Sequence, residues 1–285
     1  MAWTITKTLF YILLSAMIIL TLISSLNLTY RAYKGKVSDA ISRNQVEKIE
    51  ILQTSDLEEL PTAIRNYLNY VGVVGHEKVH SYKLDITGEF KMDEDKNFSP
   101  VQIRQSSFQD DFTRLFYMKM HMKGIKIAGL HHLVNKKAVM EIKLLDVFKI
   151  VDERGEAMNQ AELVTVFNDM AIMAPATLID DRITWEEIDD YQVIGILTNG
   201  DDTISAKLFF NELGQLINFI SEDRYATING KSEKVRWETP ITEYHKVNGL
   251  NLPYKGTAKW VYEDRTFTYI KMQLNTVTYN EGLVT

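Results

Sequence analysis

The sequence predicts an α+β fold: an N-terminal transmembrane helix, then a curved antiparallel β-sheet with covering helices. Three observations predict it. No charged residue occurs from Thr8 to Tyr30. From His80 onward apolar residues recur at every second position, the period of a half-buried strand. About ten strands then follow with short returns, and helical patterns between them are too rare for the crossovers of a doubly wound parallel sheet.

The first element is the run TLFYILLSAMIILTLISSLNLTY, with Lys7 before it and Arg31 after it. At about 1.5 Å per residue a helix of this length exceeds a hydrocarbon core of roughly 30 Å. A cleaved signal peptide fits less well, because the run outlasts a usual signal core and no small-x-small site follows it cleanly. Arg31, Lys34 and Lys36 outnumber Lys7, and by the positive-inside count they draw the body towards the cytoplasm. Residues 1–35 therefore read as anchor and flanks, 36–75 as a helical connection with the first packing helices, and 76–285 as the sheet domain with an embedded helix at 159–178.

Within the connection, Val37, Ile41, Ile49 and Leu52 fall near helical spacing and predict a helix over Lys36–Leu52. Ser55 and Glu58 have the spacing of a capping box. Leu57, Leu60, Ile64, Leu68 and Val71 mark the next helix, which Pro61 starts or bends and Gly72 stops. The strand segments begin with SYKLDITGEFKM, PVQIRQSSF, RLFYMKMHMKGIKIAGL and AVMEIKLLDVFKIVD. Leu163, Phe167, Met170 and Met173 then give a helical face, with Asn159 as candidate N-cap, Glu162 three residues on, and a break at Pro175. Strands resume through TWEEIDDYQVIGILT and close on TFTYIKMQLNTVTYN. The dipeptides Asn229-Gly230 and Asn248-Gly249 are hairpin chemistry, not phosphate loops.

Composition narrows the function. The chain is 45% hydrophobic and 25% charged, with a formal net charge of −6. That is ordinary globular usage without the cationic footprint that nucleic-acid binding needs. It has no cysteine, which removes disulfides, thiol nucleophiles and Cys-based metal sites. No G-x-G-x-x-G or P-loop pattern supports a nucleotide, and no histidine spacing supports a metal. The reading is therefore of a protein without cofactor, metal, nucleotide or nucleic-acid partner.

Candidate site residues come from side-chain parity. Met118, Met120 and Met122 share one strand face, while Tyr117, Lys119 and His121 share the other. Met170 and Met173 lie on the helix expected to cover that sheet. Methionine fills irregular apolar space, so these side chains predict either core or a soft, lipid-tolerant cavity. Arg104, on the face of Gln102 and Ser106, and Arg224, on the face of Glu222, are cations able to grip a carboxylate or an anionic head. The acidic run Asp180, Asp181, Glu186, Glu187, Asp189 and Asp190 reads first as solvated turns.

Several phrases also occur together: LPTAIRNYLNYVG, TGEFKM, PVQIRQSSF, AELVTVFNDMAIMAPATL, DDRITWEEID, FFNELGQLINFISEDRY and NGLNLPYKGTAKWVYEDRTFTYIKMQLNTVTYN. As a set, over about Leu60–Asn280, they resemble the bacterial family called domain of unknown function 6544, and more widely the LolA-like class. Positions within the phrases include Pro61, Arg104, Glu162, Trp185, Gly214 and Arg224, and Trp185 joins the candidate ligand-binding set on this ground. The resemblance implies a half-open antiparallel barrel closed by helices, in a class some of whose members carry lipoproteins or lipids outside the cytoplasmic membrane. It brings no catalytic residue. The expectation is a single-pass protein of the cytoplasmic membrane with an extracytoplasmic body. It would contact membrane lipid and bind a lipid, lipoprotein or other amphiphile through Arg104, Met118, Met120, Met170, Met173, Trp185 and Arg224. The alternatives are a ligand-free protein-interaction module in the cell envelope and a hydrolase of unknown class, with a binder favoured over an enzyme.

Overall fold

The computed structural model describes residues 2–228 and 231–284; the expected Asn229-Gly230 turn lies outside them. Helix α1 spans Ala2–Ser25 and α2 spans Leu28–Arg43. Among the described residues, no helix is long and apolar enough to cross a membrane. The uncharged run is broken: Asn27 takes a left-handed conformation (φ 50°, ψ 52°), and the residues after it belong to a second helix. The expected single-pass anchor is thereby corrected, and with it the cytoplasmic-membrane placement, its extracytoplasmic body and the membrane-anchored carrier of amphiphiles.

Helix α2 packs on the sheet. The Tyr33 hydroxyl lies 2.9 Å from that of Ser106, and the Tyr30 ring meets Tyr33 and Tyr117 at 5.9 and 5.1 Å. The helix ends at Arg43, short of the expected Leu52. The Asn44 side chain turns back to the Ala40 carbonyl at 2.9 Å, and Val46 then bonds the carbonyl of Leu283 at 3.0 Å. Helix α3, Thr62–Val71, begins after Pro61 and closes at Gly72, whose φ of 85° is the left-handed stop expected there.

The strands are β1 Ser81–Phe90, β2 Ser99–Phe108, β3 Thr113–Met122, β4 Ile125–Val134, β5 Lys137–Leu144 and β6 Phe148–Arg154. After α4 (Glu156–Met173) and a 3-10 turn at Pro175–Leu178 come β7 Ile183–Asp189, β8 Gln192–Asn199, β9 Asp202–Phe210 and β10 Leu216–Ser221. A separate hairpin of β11 (Tyr225–Ile228) and β12 (Lys231–Lys234) precedes β13 Arg236–Glu238, β14 Ile241–Val247, β15 Leu250–Val261 and β16 Thr266–Tyr279. All but the hairpin form one 14-stranded sheet in the order β6-β5-β4-β3-β2-β1-β16-β15-β13-β10-β9-β8-β7, with β14 beside β15.

The strongly curved half-barrel expected from the sequence is also corrected. The sheet is large and antiparallel but neither strongly curled nor closed: β6 and β7 end the path without pairing. The chain passes from one edge to the other through α4.

Two long strand readings divide at tight turns, after Met122 and after Leu144, and a third turn joins β4 to β5. Lys123 and Gly124 (φ 50° and 81°), Asn135 and Lys136 (50° and 63°) and Leu145 and Asp146 (54° and 62°) are left-handed pairs, the geometry that suits the twist of a tight hairpin. The strain at Asp146 is held by partners. Its buried carboxylate accepts the Thr29 amide at 3.1 Å and the Lys126 ammonium at 3.0 Å, pinning this turn to the start of α2.

Alternation gives the sheet two covered faces. Leu84, Ile103 and Ile127 face α3 and α4, while Leu115, Leu130 and Leu283 pack with Tyr33 of α2. Every residue of α4 from Ala161 to Met173 is buried. Asn159 and Glu162 do not cap it: Asn159 accepts the Ala138 amide of β5 at 2.7 Å, and the helix starts at Glu156.

Candidate functional site

A pocket of about 190 Å³ lies between α4 and the sheet. Its apolar wall includes Ile103, Phe116, Met118, Met140, Met173 and Met272. Alternation on β3 puts Arg114, Phe116 and Met118 on the same side, so the strand that supplies the apolar wall also carries an arginine inward.

That arginine anchors the polar end. Arg114 is 4% exposed. It donates to Glu162 Oε1 at 2.7 Å, to Asp169 Oδ2 at 2.6 Å and to Gln105 Oε1 at 3.0 Å, with its guanidinium 4.8 Å from the centre of the Phe116 ring. His131 Nε2 lies 2.8 Å from Glu162 Oε2. Glu162 and Asp169 stand seven residues apart, two turns of α4, and so project the same way. Burial pushes the Glu162 carboxyl up, but Arg114 and His131 outweigh it and hold the pKa down to about 2. A carboxylate held that far down is a weak proton acceptor. The network fastens α4 to β2, β3 and β4 and offers no poised base.

Arg224 lines another part of the same pocket. Its guanidinium sits 4.3 Å from the centre of the Trp237 ring and 5.4 Å from that of Trp260. Trp237 is itself fixed, donating from Nε1 to the Tyr269 hydroxyl at 3.0 Å. The Arg224 carbonyl accepts the Val235 amide at 2.9 Å, which holds the residue at the entry to the β11–β12 hairpin. Its Nε is buried and has no hydrogen-bond partner, and among the described residues no carboxylate lies within ion-pair distance of it.

The sequence-predicted residues separate accordingly. Met118, Met173 and Arg224 line the pocket. Met120 (2% exposed) and Met170 (0%) are packed core on the same face of the sheet. Trp185, on β7, packs against Phe167 with ring centroids 6.0 Å apart, away from the pocket. Arg104 is on the opposite face, bonded to Asp85 at 2.9 Å and to the Tyr30 hydroxyl, in a polar groove beside the start of α2. The acidic run does not converge: Asp180 pairs with Arg182 at 2.6 Å, Glu187 accepts the Thr62 amide at 2.8 Å, and Asp189 accepts the Tyr191 amide at 2.8 Å. Among the described residues, no cluster of His, Asp and Glu could hold a metal ion.

Sequence reasoning passed over Arg114, His131, Gln105 and Asp169. A signal existed, because Arg114 shares its parity with Met118, and Gln105 with Ile103. Charged residues in strands are read as outward-facing by default, and the helix partners that neutralise Arg114 come from a distant segment.

Comparison with protein families adds the relation. The model of a family of unknown function (DUF6544) matches residues 50–272. The chain belongs to this family. That match agrees with the family read from the recurrent phrases. No curated protein sequence matches this DUF6544 protein. Among solved structures it is similar to a DUF1329 family protein from Desulfovibrio piger, at 10% identity over 82% of this chain and 95% of that one, with a TM-score of 0.42. It is also similar to a LolA superfamily protein from Nitrosomonas europaea, at 10% identity over 81% and 95%, with a TM-score of 0.40. A third is a domain named for outer membrane lipoprotein sorting in Vibrio parahaemolyticus, at 8% identity over 71% and 86%, with a TM-score of 0.40. Likeness at this level assigns neither ligand nor partner.

Proposed function

We propose that this DUF6544 protein is a protein-interaction module whose pocket beneath α4 receives one apolar anchor side chain of a partner. The size of the pocket carries the reading. At about 190 Å³ it lies below the roughly 300–1,000 Å³ of small-molecule sites and just above the roughly 150 Å³ of an engineered apolar cavity that takes up benzene. A phenyl ring or a Leu or Met side chain fits that space, and a two-chain lipid does not. Anchors of this kind, seated in well-packed pockets, dominate the energy of many interfaces. The polar network supports the reading by keeping α4 in register over the sheet, so the pocket is preformed and little ordering free energy is spent on binding.

Selection from a displayed random-peptide library tests it. The selected sequences should share a Phe, Leu or Met. They should lose at least about tenfold in affinity for Ile142→Trp, which fills the pocket from β5. Selected peptides without a common apolar residue, or equal binding to an Ile142→Trp variant that unfolds at the parent's midpoint, would contradict the proposal.

A further inference from the structure

Among the described residues, Arg224 lines the pocket without a carboxylate within ion-pair distance, and that charge describes the partner. Arg114, the other arginine there, is committed to Glu162, Asp169 and Gln105. Arg224 is not: the neighbouring Asp223 is taken by Lys234 at 2.8 Å and by the Ser205 amide at 2.9 Å. Glu238, two strands of sequence away, is taken by Lys259 at 2.9 Å and Arg236 at 2.8 Å. What Arg224 touches instead is aromatic, Trp237 and Trp260.

Stacking and pairing use different parts of a guanidinium. The ring centroids of Trp237 and Trp260 stand 4.3 and 5.4 Å from the guanidinium carbon, whereas a guanidinium's N–H donors lie in its plane, in the fork that matches a carboxylate. A buried donor without a partner is costly, and Arg224 Nε is such a donor. An acceptor arriving with the anchor side chain would remove that cost. We infer that the partner segment is acidic as well as apolar: an Asp or Glu carboxylate next to the anchor residue is received by Arg224 while the anchor fills the apolar pocket. This rests on the interaction reading above and supplies its specificity. Charge complementarity selects the occupant, since a neutral apolar segment would leave the arginine as it stands.

The test compares blocked dipeptides, Phe-Asp and Asp-Phe, with their Asn counterparts, with affinity read from the methyl shifts of the pocket methionines. At least one acidic peptide should bind about tenfold tighter than its Asn counterpart. The preference should vanish in Arg224→Gln. Arg224→Lys should keep part of the preference, having the charge without the planar fork. An unchanged spectrum of Met170 and Met120 in each variant shows that the core is intact. Equal binding of Asp and Asn peptides overturns the role of Arg224 and leaves the pocket reading standing. Octanoate presents a carboxylate and an apolar tail without a peptide, and tighter binding of octanoate than of either acidic peptide overturns the assignment to a protein segment. Failure of every peptide to bind, neutral or acidic, overturns the interaction reading and this inference with it.

Discussion

The two flanks of α4 are held to the sheet by different physics. Towards β8 and β10 the helix is dry. Phe167 meets Phe219 at 5.5 Å and Trp185 at 6.0 Å between centroids, and β8 carries Gly195, where a Cβ would stand 2.5 Å from the Phe167 ring. Towards β2, β3 and β4 the same helix presents Glu162 and Asp169 to Arg114 and leaves an open pocket alongside. The packed flank positions the helix by shape and the polar flank by charge. A hollow can persist beside the polar flank because ion pairs set the separation there without filling all the space. The lesson is that one fully buried helix can serve as core on one side and as the roof of a binding site on the other.

The most severe way to break the comparison is to remove the arginine. Arg114→Met leaves Glu162 and Asp169 buried without their cation, and we expect a loss of about 3–5 kcal/mol in chemical denaturation. Adding Glu162→Gln and Asp169→Leu should recover part of it, because no uncompensated charge then remains. A loss below about 1 kcal/mol for Arg114→Met would mean that the polar flank does not hold the helix.

Acid should act on one flank alone. The Glu162 pKa is lowered from 4.5 to about 2 by Arg114 and His131 against the opposing effect of burial. A folded-state pKa below the unfolded one contributes stability that is complete above pH 4.5 and is lost as pH falls towards 2. The contribution is on the order of 3 kcal/mol. Unfolding measured at pH 7 and at pH 3 should show a smaller difference for Glu162→Gln than for the parent, and an unchanged difference for Phe167→Leu on the dry flank. The same acid dependence in Glu162→Gln as in the parent would contradict the assignment.

The methionines give the smallest and sharpest comparison. Met170→Ala in packed core should cost about 2–5 kcal/mol. Met118→Ala borders a pocket that already exists, so it should cost only about 1 kcal/mol. Equal losses would mean that the pocket is as tightly packed as the rest of the interior.

Much of this architecture is legible in the sequence, and the parts that are not share a cause. The period of two exposes the strands, and the parity of Met118 and Met120 assigns them correctly to the face that α4 covers. Gly72 marks its helix end because left-handed φ is cheap for glycine. The turns at Lys123-Gly124 and Leu145-Asp146 are harder to see, since tertiary partners such as Lys126 and the Thr29 amide hold Asp146 there. The N-terminal run misleads because composition does not show the left-handed Asn27 that divides it. The site itself depends on meetings between distant segments: Arg114 with Glu162 and Asp169, Arg224 with Trp237 and Trp260. Each residue taken alone reads as surface charge or core ring, and only the fold brings the pairs together.

The central claim is that the pocket beneath α4 takes an apolar side chain. Titration of the methyl-labelled methionines with N-acetylphenylalaninamide, a neutral mimic of such an anchor, tests it most directly. The methyls of Met118, Met140, Met173 and Met272, which line the pocket, should shift in a saturable way, while that of Met170, buried in packed core, stays in place. Shifts spread equally over all of these methyls, or none up to the solubility limit of the ligand, would contradict the claim.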